Sequence, residues 1–330
     1  MKATPTESEL APLPAPNSSS PPPLTPVEAE RVGHYVSGAL SASTRRAYAA
    51  ALRSFQIWCA QTGRAPCPAE PAAVAAFLVA EADAGKSVSA LSQRLAAIRW
   101  EHLRKGHGSP TAHPGVLDTM TGIRRALGVA PSRKSPVTVE RVAALVAHVD
   151  RSTLKGKRDA ALLLFGFASA MRRSELAALD LAHIEETSRG LLVTVVRGKT
   201  DQEGRGHQRA IPFGRRAELC PVRALRSWLD AAAVENGRVF RSVTRHGRVG
   251  PSLRAATVAE VVKHYAKAAR LDPAEFAGHS LRAGFVTSAA ERGAKADRIM
   301  DHTGHQSATM VRVYTRRSDA FADHAGEGLL

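Results

Sequence analysis

The sequence is poor in cysteine, in aromatic residues and in acid, and each shortage narrows what the chain can be. Three cysteines in 330 residues, Cys59, Cys67 and Cys220, are too few and too scattered for a disulfide framework or a zinc cluster. They read as reduced thiols. No run of 18 apolar residues occurs, so no membrane-spanning helix is expected. The first residues lack an apolar signal core, and the expectation is an intracellular, cytoplasmic protein. No convincing cluster of carboxylates can be found to hold a catalytic metal, so neither metal nor cofactor is expected. The deficit of acid is the largest departure: 30 Asp and Glu stand against 46 Lys and Arg, a net charge of +16. A charge of that size on a folded chain suggests a polyanionic partner, most simply nucleic acid, with a merely solvated basic surface as the alternative.

What is present divides into stretches. Residues 1–26 are rich in Pro and Ser and bury too little apolar area to offset the entropy of ordering, so a disordered tail is expected. Four helical patterns follow over 27–127. In the first, Tyr48, Leu52, Phe55 and Cys59 recur at helical spacing, with Ser43 or Thr44 as the N-cap. In the third, Leu91, Leu95 and Ile98 share one side. From Leu91 to Lys134 the basic residues Arg94, Arg99, Arg104, Lys105, Arg124, Arg125, Arg133 and Lys134 are opposed only by Glu101 and Asp118. This predicts a small helical domain whose basic residues face a polyanion. "GVAPSRKSP", 128–136, has no apolar period and reads as a linker. Residues 137–330 form the second domain. "RDAALLLFGFASAM" is apolar nearly all round, hence a buried helix. "GLLVTVVRGKT" and "HQRAIPF" read as a β-hairpin, and the later segments are helical. The fold class is mostly α with a small β-sheet, in two domains.

Several short motifs carry chemistry. His279 and Arg282 are three residues apart in "HSLR" and could both reach one phosphate. Arg172 and Arg173 follow the buried helix directly, with Glu175 placed to orient an arginine. Lys199 falls at the tip of the hairpin, where it could carry an ammonium into a DNA groove. His305 precedes Tyr314 by nine residues. Taken singly, each motif reads as readily as a solvated helix face, an exposed loop lysine or a core tyrosine.

Taken in order, they resemble the tyrosine recombinase (phage integrase) family. "AMRRSEL" looks like its first arginine box, "HSLR" like its second and "GHQSATMVRVY" like its nucleophile segment. The resemblance covers roughly residues 30 to 325, and within the family it is to the Cre-like site-specific recombinases. Position 305 departs from Cre, which carries tryptophan there; most relatives carry histidine. The resemblance implies an N-terminal helical, SAM-like core-binding domain and a catalytic domain clamped around double-stranded DNA. The expected partners are a DNA recombination site and three further copies of the chain, a homotetramer made of two dimers. Whether accessory proteins take part is not legible. The implied catalytic set is Arg172, Glu175, Lys199, His279, Arg282, His305 and Tyr314, the nucleophile, with no metal. The short tail argues against a separate arm-binding domain, and the last residues, "AFADHAGEGLL", could pack into a neighbouring protomer. A type IB topoisomerase, or a catalytically inactive DNA-binding protein of the same fold, would share most of these features.

Overall fold

The computed structural model describes residues 25–128, 134–196 and 206–305. Arg133, Lys199, Tyr314 and the C-terminal "AFADHAGEGLL" lie outside the described residues. The chain divides into two compact units, Met1–Pro131 and Ser132–Leu330.

Unit one holds five helices among its described residues: α1 (Pro26–Gly38), α2 (Ala42–Gln61), α3 (Pro71–Asp83), α4 (Val88–Arg104) and α5 (Pro114–Leu127). The helical spacing of apolar residues turns Phe55, Cys59, Val74, Phe77, Leu78, Leu91, Ile98, Val116 and Met120 into one buried core. α2 starts earlier than Ser43 or Thr44: Ser41 is the N-cap, and its Oγ accepts from the Thr44 N–H at 3.1 Å. Serine suits either position, and only the backbone direction chooses between them. His102 is fully buried in α4. Its Nδ1 bonds the Ile98 carbonyl at 2.8 Å, and its Nε2 accepts from the Ala69 N–H at 2.9 Å, which pins the loop before α3.

Unit two holds α6 (Val139–Ala147), α7 (Leu154–Ser169), α8 (Arg173–Ala178), a three-stranded antiparallel sheet, and then α9 (Pro221–Ala231), α10 (Ala255–Ala268), α11 (Ser280–Glu291) and α12 (Ala296–Thr303). The strands are β1 (Ile184–Thr187), β2 (Gly190–Val195) and β3 (His207–Pro212), in that spatial order. β2 and β3 are the hairpin expected from their β-branched residues, registered from Gly190↔Pro212 to Val195↔His207. β1 had no clear signal, because three of the four residues of "IEET" are polar and the strand forms an edge. Gly190, at φ +144°, permits its tight entry: a Cβ there would lie 2.1 Å from the Ile211 carbonyl oxygen. The chain is thus mostly helical with a small sheet. No helix among the described residues is long and apolar enough to cross a membrane.

α7 is the axis of this unit, buried over most of its length against α9 and α11. Its two charged residues in that interior are paired. Arg158 Nε donates to Asp159 Oδ1 at 2.8 Å, and Tyr265 Oη on α10 donates to Oδ2 at 3.1 Å. An unpaired charge here would cost several kcal/mol, on the order of 3–5. Residues 134–136, expected in the linker, are tied to unit two instead: Lys134 Nζ donates to the Ala274 carbonyl and the Ser135 N–H to the Glu275 carbonyl, at 2.8 and 2.7 Å.

The next residue fixes α11. The Val137 N–H donates to the Ser280 carbonyl at 2.8 Å, and a Cβ on Gly284 would lie 1.7 Å from the Val137 carbonyl oxygen. Backbone cannot swing aside as a side chain can. Gly284→Ala is therefore expected to destabilise unit two by about 1–3 kcal/mol, read as a lower denaturant midpoint. Gly122→Ala on α5 is the control, since a Cβ there meets nothing within 4 Å. It should be neutral, or stabilising by up to ~1 kcal/mol through helix propensity.

Candidate active site

The site forms where the ends of α7, α11 and α12 meet the start of α8 and the face of β3. Ser169 ends α7, and Ala170 follows in the left-handed region at φ +48°, which breaks the helix and turns the chain into the arginine pair. Arg172 is the N-cap of α8 and Glu175 its third helical residue. Glu175 reaches back: its Oε2 accepts the Arg172 backbone N–H at 3.0 Å and its Oε1 accepts Arg172 Nη1 at 2.6 Å. The carboxylate is buried while the Arg172 side chain keeps 13% exposure, so the guanidinium is held from behind with part of it open to solvent.

Arg282 comes from the first turn of α11 and is buried. Its Nη1 donates to two carbonyls, Ala170 at 2.8 Å and Thr303 at 2.7 Å. It thereby joins the break before Arg172 to the end of α12. His279, the N-cap of α11, is exposed at that end of the helix. The preceding Gly278 lies against the Arg173 stem, where a Cβ would come within 2.7 Å of Cδ, so His279 is held beside the Arg172–Arg173 turn.

His305 follows Gly304, whose left-handed conformation at φ +69° ends α12. Its Nδ1 is 2.7 Å from Thr303 Oγ1. The Thr303 hydroxyl gives its single hydrogen to the Ile299 carbonyl at 2.6 Å, so His305 Nδ1 is the donor and Nε2 carries the lone pair. Burial, together with the charges of Arg282, Arg172 and Arg209, holds the His305 pKa down to about 4. The ring is neutral at pH 7. His302, one helical turn before Gly304–His305, is also pushed down by burial and gives a hydrogen bond to the Ala168 carbonyl at 2.8 Å while stacking on Phe285. It is a packing residue.

A residue not singled out from the sequence sits at the centre. Arg209 on β3 is 2% exposed. Its Nη1 donates to the Ser169 carbonyl at 2.8 Å, and its Nη2 lies 3.2 Å from the Thr303 carbonyl and 3.4 Å from Glu175 Oε2. Burial pulls its pKa down, with the Glu175 carboxylate opposing and the Arg172 charge adding. Two guanidiniums, Arg172 and Arg209, thus share the Glu175 carboxylate, and Arg282 joins them through the Thr303 carbonyl that it shares with Arg209.

Six of the eight basic residues expected to contact nucleic acid, Arg94, Arg99, Arg104, Lys105, Arg124 and Arg125, lie in unit one. Arg99, Arg104, Lys105, Arg124 and Arg125 are exposed; Arg104 stacks over Trp100 and Lys105 pairs with Glu101. Arg94 is different: its Nε is 2.9 Å from Glu81 Oε2, with both side chains largely covered. Glu81 lies on α3, outside the window in which only Glu101 and Asp118 stood against the basic residues. Among the described residues no group of three or more His, Cys, Asp or Glu is placed to hold a metal ion.

The fold is a helical unit followed by a mostly helical unit with a small sheet, and its second unit brings Arg172, Arg209 and Arg282 together beside Glu175. Comparison with known proteins makes this specific. Residues 136–320 match the phage integrase family, and residues 35–100 match the N-terminal SAM-like domain of phage integrases. The chain belongs to the phage integrase (tyrosine recombinase) family. It is 38% identical over 287 residues to an integrase/recombinase XerD homologue of Selenomonas ruminantium, covering 86% of this chain and 84% of that one. It is 29% identical over 287 residues to the tyrosine recombinase XerC of a Mycobacterium strain, at 82% and 87% coverage. Among solved structures, the fold resembles XerH recombinase bound to difH DNA in a post-cleavage complex, with a TM-score of 0.60, 17% identity and coverage of 79% and 72%. It also resembles a lambda integrase dimer bound to a core site, with a TM-score of 0.58, 17% identity and coverage of 87% and 93%.

Proposed function

We propose that this protein is a site-specific recombinase that cuts and rejoins double-stranded DNA through a covalent 3′-phosphotyrosine. The carrying observation is the linked cluster of Arg172 and Arg209 on Glu175 with Arg282 sharing the Thr303 carbonyl, Arg172 being part-exposed and backed by the buried carboxylate. In this reading residues 27–127 are the core-binding domain, 128–136 the connection and 137–330 the catalytic domain. The exposed Arg99, Arg104, Lys105, Arg124 and Arg125, with Arg133, contribute to phosphate contacts, while Arg94 is paired with Glu81 and Lys134 is bonded to the Ala274 carbonyl. Four protomers assemble on two sites.

A phosphodiester repels a nucleophile until its non-bridging oxygens are neutralised. Arg172 and Arg282 clamp those oxygens and stabilise the charge added in the pentacovalent transition state, their planar forks matching the phosphate better than lysine would. The Tyr314 phenol, with an ordinary pKa of about 10, attacks phosphorus and passes its proton to His279. Lys199 protonates the 5′-oxygen as it leaves. His305 reaches the site with Nε2 bare; the arriving phosphate charge raises its pKa and lets it take up a proton, after which Nε2 donates to the phosphate. The phosphotyrosine bond keeps the energy of the broken phosphodiester, so a free 5′-hydroxyl on the partner strand reverses the step without ATP.

The test is a nicked suicide substrate built from DNA around the protein's own gene, with mapping of the covalent junctions. Recombinant product is scored separately from relaxed circles, because a topoisomerase would give only the latter. Cleavage is expected to proceed in EDTA, since the positive charge that Mg²⁺ supplies in two-metal nucleases comes here from side chains. Activity lost in EDTA and restored by Mg²⁺ at constant ionic strength would show the scheme to be wrong.

A further inference from the structure

The scheme above gives Arg209 no task, yet its guanidinium reaches the Ser169 and Thr303 carbonyls and the Glu175 carboxylate. Resting on that scheme, we propose that Arg209 is a positioning residue: its guanidinium sets the placement of Arg172, Arg282 and the Thr303–His305 segment against the scissile phosphate without touching the phosphate itself.

At 2% exposure Arg209 is closed to a ligand from solvent. What it does reach are the backbones that carry Arg172 and His305. The Ser169 carbonyl, bonded at 2.8 Å, lies three residues before Arg172, next to the Ala170 carbonyl that Arg282 holds. The Thr303 carbonyl, two residues before His305, is shared between Arg209 at 3.2 Å and Arg282 at 2.7 Å. Glu175 is shared between Arg209 and Arg172. One planar fork therefore ties the end of α7, the end of α12 and the α8 carboxylate to β3. Removing it leaves each neighbouring arginine with a partner that has lost its own second anchor.

Packing alone does not explain the residue. Arg209 is on the inward face of β3, in phase with buried Ile211. A hydrocarbon at such a position avoids the cost of burying a charge. Its Nε is moreover buried with no hydrogen-bond partner among the described residues, a further cost that a stabilising filler would not carry. A lysine would keep the charge. It concentrates its donors on one nitrogen, however, and cannot span two carbonyls and a carboxylate in the plane of a fork. The charge-conserving change thus separates the fork from the charge.

The experiment compares wild type, Arg209→Lys, Glu175→Gln and the double variant in single-turnover adduct formation on the nicked substrate. Rates are taken within the gel-retarded complex, so that only folded, DNA-bound protein counts. Arg209→Lys is expected to bind DNA with unchanged affinity and to cleave at least ~100-fold more slowly, the scale on which small misplacements act. Lowering the salt should not restore the rate, because no phosphate contact has been lost. Since Arg209 and Glu175 act as a unit, the double variant should cleave no more slowly than Arg209→Lys alone. A near-normal rate per bound complex would overturn the proposal, and a variant that merely melts earlier but cleaves normally once bound would do the same. If Arg209→Lys gives no retarded complex, Glu175→Gln decides: the proposal requires slower cleavage at unchanged affinity, and a normal rate refutes it. Wild type separates the two levels: adduct from wild type and from Arg209→Lys alike removes only the positioning role, whereas no adduct from wild type removes the recombinase scheme and this role with it.

Discussion

Tyr314→Phe is expected to abolish the covalent protein–DNA adduct while leaving DNA affinity and folding as they were. The change removes one oxygen and no charge at neutral pH, so a binding defect would have no source. The other tyrosines supply the contrast. Tyr265 is buried on α10 and gives its hydroxyl hydrogen to Asp159, and burial with the Asp159 charge pushes its pKa up, away from nucleophilic ionisation. Tyr48 packs on Trp100 in the helical unit, and Tyr35 is exposed on α1. Tyr265→Phe should cost about 1 kcal/mol of stability for the lost hydrogen bond and still form adduct on the suicide substrate. The opposite pattern, adduct from Tyr314→Phe and none from Tyr265→Phe, would move the nucleophile elsewhere and undo the scheme.

The parts of the site that could be read in the sequence are those whose geometry is local. Arg172 and Glu175 are three residues apart on one short helix, so the pair follows from spacing. Buried α7 follows from its apolar composition, and the β2–β3 hairpin from its β-branched residues and the glycine-containing connection. Arg209 was passed over because its partners are 34, 40 and 94 residues distant along the chain. No window of sequence contains them. One signal did exist: strict alternation along "HQRAIPF" puts Arg209 on the same face as Ile211, and an arginine in phase with the core must have a buried partner. Arg94 failed to read as paired for a related reason. Its partner Glu81 is on the preceding helix, and helix-to-helix ion pairs depend on packing that composition does not express. His305 could be named from the sequence as a candidate, but not its tautomer, which depends on Thr303 committing its hydroxyl hydrogen to Ile299.

Lys199→Ala is expected to cleave ordinary DNA slowly and DNA with a sulfur at the 5′-bridging position at nearly the wild-type rate. The 5′-alkoxide is a poor leaving group, and a positioned acid that protonates it accelerates departure by about 10² to 10⁴-fold. A thiolate leaves without a proton, so sulfur substitution removes the need for the acid and for nothing else. A lysine that contributed only phosphate affinity would behave differently: its loss would weaken binding, low salt would restore it, and sulfur would make no difference. Lys199 lies in sequence between β2 and β3, which pair in register up to Val195 and His207. Arg172→Ala and Arg282→Ala form the other half of the prediction. Both leave the phosphate charge uncompensated, and a better leaving group does not supply a missing cation, so neither should be rescued by sulfur. An equal defect of Lys199→Ala on both substrates would remove it from the acid role. Lys134, whose Nζ is engaged with the Ala274 carbonyl, would then be the next basic residue to examine on the same pair of substrates.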